Sequence, residues 1–232
     1  MIDLTIPKKH SECQGKSEGT RSKMKGSQIK RRGTSPASSD GGSGQRYENP
    51  VALKAAIREI SQLMLNTHSR RTDFILKDLT TTDQILAHWM ALILVSGSNL
   101  KITFKAHFAT HLAKNLAAPI YGKSTEELSD EQSLDFMKEF CNLSAGSIKR
   151  VLLNIEQKTG VSIPVVTRGF DELFFSTSSL PNVFADAWTL TCALGQLHCS
   201  AVIELFQPVD LSQVRVDSDS SGSDNQGDVE FL

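Results

Sequence analysis

Residues 84–95 read QILAHWMALILV, and SGSN follows at once at 96–99. The run is too short to span a bilayer, which takes about 20 apolar residues. It is long for one strand, usually about 5–6 residues. After the turn signal, LKITF (100–104) alternates, with Leu100, Ile102 and Phe104 on one face. Strand, turn and strand in this order predict a β-hairpin. A second hairpin is predicted near the C-terminus, from AWTLTCAL (187–194) through GQLH to CSAVIELF (199–206).

Helical spacing occupies the ground around these hairpins. Residues 50–65 place Leu53, Ile57, Ile60 and Met64 on one face, with Pro50 at the start. DFILKDL (73–79) reads as a short strand and KAHFATHLAKNLA (105–117) as a helix. Ser129 and Gln132 have capping-box spacing and open a longer helix that can run to Gly160. SIPVVTRG (162–169) returns to strand character. The order is helix, hairpin, two helices, hairpin, without regular βαβ alternation. It predicts an α+β fold, a mainly antiparallel sheet with helices packed against it.

Charge is distributed unevenly. Net charge is −1 over 232 residues, yet residues 1–50 carry ten Lys/Arg against five Asp/Glu, and residues 210–232 one against six. The segment 1–46 is polar, basic and rich in Gly and Ser. It cannot bury enough apolar surface to offset the entropy of ordering, so it is expected to be a disordered tail. Residues 210–232 are expected to be a second, acidic tail, with the folded domain at 47–209. The basic tail could touch an acidic partner or nucleic acid, but a solvated linker is the simpler expectation.

Cys13, Cys141, Cys192 and Cys199 show no CxxC or zinc spacing and read as free thiols in a reducing compartment. With no apolar secretory core at the N-terminus and no membrane-length run, the cytoplasm is the expected location. His107 and His111 stand four apart, a spacing that can bind metal on a helix, but no HExxH or third ligand accompanies them. No metal site is expected. Trp89 and Trp188 read as core residues.

The helix opened by Ser129 contains DFMKEFCNLSAG at 135–146. At about 100° per residue, Asp135, Glu139, Asn142 and Gly146 fall within a stripe about 60° wide. Met137, Cys141, Ile148, Val151 and Leu152 lie on the far side. Asn and Gly are poor helix-interior residues, so stability does not explain them. A carboxamide both donates and accepts hydrogen bonds and can hold a water in a set orientation. A carboxylate one turn earlier can pair with a cation on a partner. A glycine on the same stripe lets another protein's backbone come close. These groups could enter another protein's active site and aim a water at a phosphoryl group, a reaction in which positioning and charge stabilisation carry most of the catalysis.

The DxxxExxN pattern followed by xxxG resembles that of the CheC/CheX/FliY chemotaxis phosphatases. LILVSGSNLKITFKAHFATHLAKNL is similar to their hairpin and following helix, and SIPVVTRGFD to the segment after their catalytic helix. The resemblance covers about 51–206 and is nearest to CheX, which carries one such motif. It implies removal of phosphate from a phosphorylated CheY-like receiver. By resemblance, Glu139 pairs with a lysine in the regulator's active site and Asn142 orients the attacking water. Asp135 supports Glu139 or the contact surface, beside Gly146. Mg²⁺ belongs to the regulator, so the chain needs no cofactor of its own. A homodimer is implied in the same way. Glu59 and Gln62 on the first helix echo the motif faintly and read as ordinary packing. The competing expectation is a non-catalytic module of the same fold that docks a regulator or sits in a signalling assembly.

Overall fold

The structure, a computed structural model, describes residues 47–79, 89–169 and 180–216. The expectations for the tail at 1–46, for 217–232, for residues 84–88 of the apolar run and for Cys13 lie outside them.

The first helix, α1 (Val51–Ser69), follows Pro50 and buries Leu53, Ala56, Ile57, Ile60 and Leu65. It ends on Arg70, whose φ of 53° and backbone N–H to the carbonyls of Asn66 and Thr67 close the last turn. The strands β1 (Ile75–Asp78), β2 (Trp89–Gly97) and β3 (Leu100–Phe108) follow, then α2 (Thr110–Tyr121) and α3 (Asp130–Leu153). The chain finishes with β4 (Thr159–Val161), β5 (Val165–Arg168), β6 (Val183–Cys192) and β7 (Gly195–Leu205). The described strands form one sheet in the order β1-β6-β7-β3-β2-β4, with β5 also on β2, and every pairing is antiparallel. The predicted α+β architecture is therefore observed.

The core lies between the helices and the strand positions that alternate inward. Ile93, Phe104, Trp188 and Ile203 from the sheet are fully buried, as are Leu53, Ile57, Phe136 and Phe140 from the helices. Phe104 meets Phe140 edge-on at 6.0 Å. The Trp188 indole donates to Ser61 Oγ at 3.0 Å, satisfying its one polar atom inside the core. Trp89, expected in the core, is half-buried, with Arg168 stacked over its ring at 3.9 Å. Arg58 ties α1 to the sheet through Asp186, at 2.7 and 2.6 Å, and through Asp78.

Several boundaries differ from the sequence reading. Residues 105–108 belong to β3 rather than to a helix, because β3 is hydrogen-bonded on both sides: His107 is in register with Met90 and with His198. Tertiary pairing outweighs the helical pattern there. His107 and His111 consequently sit on different elements, and the i, i+4 pair does not exist. Both hairpin turns are shorter than expected, at residues 98–99 and 193–194. The long helix stops at Leu153, and Gly160 lies in β4 opposite Ser96. Leu211 and Val214 are buried in the core, so packing continues past the boundary expected at 209.

Gly97 marks where β4 approaches the first hairpin. A Cβ placed on it would stand 2.4 Å from the Lys158 carbonyl oxygen, a backbone atom that cannot swing aside. Asn99 Nδ2 donates to Gln157 Oε1 at 2.9 Å just beside this crossing. Gly97→Ala is expected to lower unfolding free energy by about 2 kcal/mol, the usual cost of overpacking. A urea melt with unchanged slope and a lower midpoint would register it.

Candidate functional site

The site is built on α3, and the start of that helix is fixed locally. Ser129 Oγ accepts from the Gln132 N–H at 3.1 Å, and Gln132 Oε1 accepts from the Ser129 N–H at 3.3 Å. This is the predicted capping box. Asp130 and Glu131 in the first turn suit the positive end of the helix dipole. Phe136, Met137, Phe140, Cys141, Ala145 and Ile148 bury the inner face, which fixes the rotation of the helix about its axis. The opposite stripe must then face solvent. Asp135, Glu139, Asn142 and Gly146 are all exposed.

The stripe is only lightly tied to itself. Asn142 Nδ2 donates to Glu139 Oε2 at 3.5 Å, a long and weak contact. It shows that the two side chains lean together without being locked. Asp135 is paired with Lys138 at 2.6 Å. Glu139 makes no ion pair among the described residues. No atom lies within 4 Å of where a Gly146 Cβ would stand, so the surface there is open. Lys149, Arg150 and Leu153 continue exposed along the helix toward its C-terminus. Arg168, on β5, stacks over the Trp89 ring.

On the hidden side, burial pushes the Cys141 thiol well above its usual range. A thiol in that state is a packing group and no nucleophile. Cys141, Cys192 and Cys199 are free cysteines, and Cys199 is likewise raised by burial. No three His, Cys, Asp or Glu side chains come together as a metal site among the described residues. No helix among them is long and apolar enough to cross a membrane.

Helix α1 packs beside α3. Its echo of the motif is engaged in structure: Gln62 Nε2 donates to the Phe74 carbonyl at 2.6 Å, so that amide is committed to the fold. Sequence reasoning missed His68, in the last turn of α1. Its ring stacks on Phe136 at 4.1 Å and 20°, and its Nε2 lies 3.1 Å from the Phe136 carbonyl oxygen. A signal existed. Stepping by three or four from Ile57 through Ile60 and Met64 leads to His68, which puts a histidine on the inward face of the helix.

The result is an antiparallel sheet with helices on it, one of which, α3, offers an acid, an amide and a bare glycine outward to solvent. The sequence model described as chemotaxis phosphatase CheX matches residues 90–185, which include all of α3. A CheC-like superfamily protein from Shewanella sp. PV-4 superposes with a TM-score of 0.56 at 16% identity, over 66% of this chain and 98% of that one. Chemotaxis protein CheX from Vibrio vulnificus gives 0.53 at 17% identity, over 68% and 99%. A chain of the CheX–CheY–BeF3–Mg²⁺ complex from Borrelia burgdorferi gives 0.52 at 11% identity, over 65% and 96%. At such identities these likenesses establish the fold. No curated protein matches the chain by sequence. The chain thus has the fold of CheX and CheC-like proteins, and its segment 90–185 matches the CheX family model.

Proposed function

We propose that this chain accelerates hydrolysis of the aspartyl phosphate on a CheY-like receiver domain. The observation that carries the reading is the exposure of Glu139 and Asn142 on one stripe of α3, inside the matched segment and beside the open surface at Gly146. A relative of the same fold has been solved with CheY, BeF3 and Mg²⁺, which supports a receiver as the partner.

In this reading α3 lies along the rim of the receiver's site. Glu139, without an internal cation, pairs with a receiver lysine and sets the register of docking. Asn142 reaches the phosphoryl group. Its carbonyl oxygen accepts from the water and its amide nitrogen donates, so the water's lone pair is aimed at phosphorus. The water oxygen forms the new bond to phosphorus as the bond to the aspartyl oxygen breaks. The aspartate leaves as carboxylate, and the water's proton passes to the departing phosphate. The receiver supplies Mg²⁺ to neutralise charge on the transferred group. Asp135, held by Lys138, borders the contact.

The test is to mix the chain with several phosphorylated receiver domains and time the loss of phosphate. Faster loss with at least one receiver is expected. Binding without faster loss would show a docking module instead, and no effect on any receiver would overturn the reading.

Gly146 supplies a separate check, because stability and activity should move in opposite directions. Gly146→Ala on an exposed helix is expected to stabilise by about 1 kcal/mol and raise Tm by roughly 2–4 °C. If a receiver backbone passes over this position, the added methyl should lower activity about tenfold. Thermal melts and phosphate release on one preparation read both.

A further inference from the structure

We propose that His68 is a positioning residue for Glu139. Its neutral ring secures the turn of α3 that carries this carboxylate and leaves the carboxylate to the receiver, whereas its protonated ring becomes an internal counter-ion. The inference rests on the function proposed above and goes beyond it by naming a group outside the motif that governs docking.

The geometry is specific. A carbonyl oxygen can only accept, so the 3.1 Å contact with Phe136 requires the hydrogen on His68 Nε2. In the neutral ring Nδ1 then carries the lone pair. The stack on the Phe136 ring at 4.1 Å fixes the plane of the imidazole. Phe136 and Glu139 are three residues apart on α3, so whatever covers Phe136 is a surface neighbour of Glu139. On α3 the charged groups flanking this contact are Glu139 and Asp135, and Asp135 is held by Lys138. After α1 come Arg70 and Arg71, and Arg71 is paired with Asp73 at 2.7 Å. Glu139 is thus the acid left for His68.

Burial holds the His68 imidazole below its ordinary value, while the Phe136 carbonyl and the Glu139 charge pull the other way. Burial, the larger influence, thus favours the neutral ring. Acidification places a cation beside Glu139, and the receiver's lysine must then compete with it.

The experiment compares the chain with His68→Gln between pH 5 and 8, using a phosphorylated CheY-like receiver. Gln keeps an amide donor for the Phe136 carbonyl but cannot titrate. In the original chain KM is expected to rise about threefold as pH falls from 8 to 5, a change of the size expected for one exposed ion pair, with a smaller change in kcat. In His68→Gln the rise in KM should be absent. The receiver's own pH response is common to both and cancels. Superimposable KM profiles would overturn the inference. A second reading needs neither variant nor receiver: the ¹³C signal of the Glu139 carboxylate should move as the His68 ring titrates. If that signal ignores the ring, the inference fails. If neither chain speeds phosphate loss, the proposed function fails and the carboxylate signal alone decides the role of His68.

Discussion

Asn142→Ala should abolish most of the accelerated phosphate loss, lowering kcat on the order of 100-fold, the scale seen when one placed hydrogen-bonding group is removed from a transition state. The fold should be untouched. Asn142 is exposed, and its one described side-chain contact is the 3.5 Å bond to Glu139. Alanine is also the better helix former, so stability should change by no more than about 0.5 kcal/mol, and upward if at all. KM should move little, because alanine leaves Glu139 and the bare surface at Gly146 in place. Asn142→Asp is the stricter control. A carboxylate accepts but does not donate, and it brings negative charge toward the phosphoryl group, so activity should fall as far as with alanine. Steady-state phosphate release with thermal melts checks all of this. A variant that keeps full kcat would remove the amide from the mechanism.

Glu139→Lys should act on docking instead. It sets a cation against the receiver's lysine, and like charges brought together at an interface cost several kcal/mol. KM should rise at least about tenfold, which needs only about 1.4 kcal/mol. The original chain should itself bind less tightly as salt is added, because a pair at a docking rim is screened. Glu139→Lys should lose most of that salt dependence. The substitution lies on the exposed stripe and breaks no ion pair among the described residues, so Tm should hold. Titration of the receiver at two ionic strengths separates this loss from the loss expected at Asn142.

What was legible in the sequence was what is local. The capping box at Ser129 and Gln132, the inward face of α3 and the outward stripe follow from spacing within one helix. The two hairpins follow from apolar runs broken by turn residues. The misread boundaries were set by distant parts of the chain. Residues 105–108 have helical spacing, but β7 and β2 pair with them from both sides and hold them extended. The helix expected to reach Gly160 ends at Leu153, and Lys158, just before β4, brings its carbonyl oxygen within 2.4 Å of a would-be Gly97 Cβ. Leu211 and Val214 were hidden in an acidic stretch, and a net charge says nothing of two apolar side chains finding the core. His68 escaped notice because its meaning depends on Phe136, 68 residues away.

The central claim is tested most directly by turnover. A phosphorylated CheY-like receiver is mixed with one-tenth its molar amount of this chain, and phosphate is followed until it stops appearing. The account predicts that all of the receiver loses phosphate, faster than alone, at a rate proportional to the chain added. A decay indistinguishable from that of the receiver alone, or a burst that ends at one phosphate per chain, would contradict it.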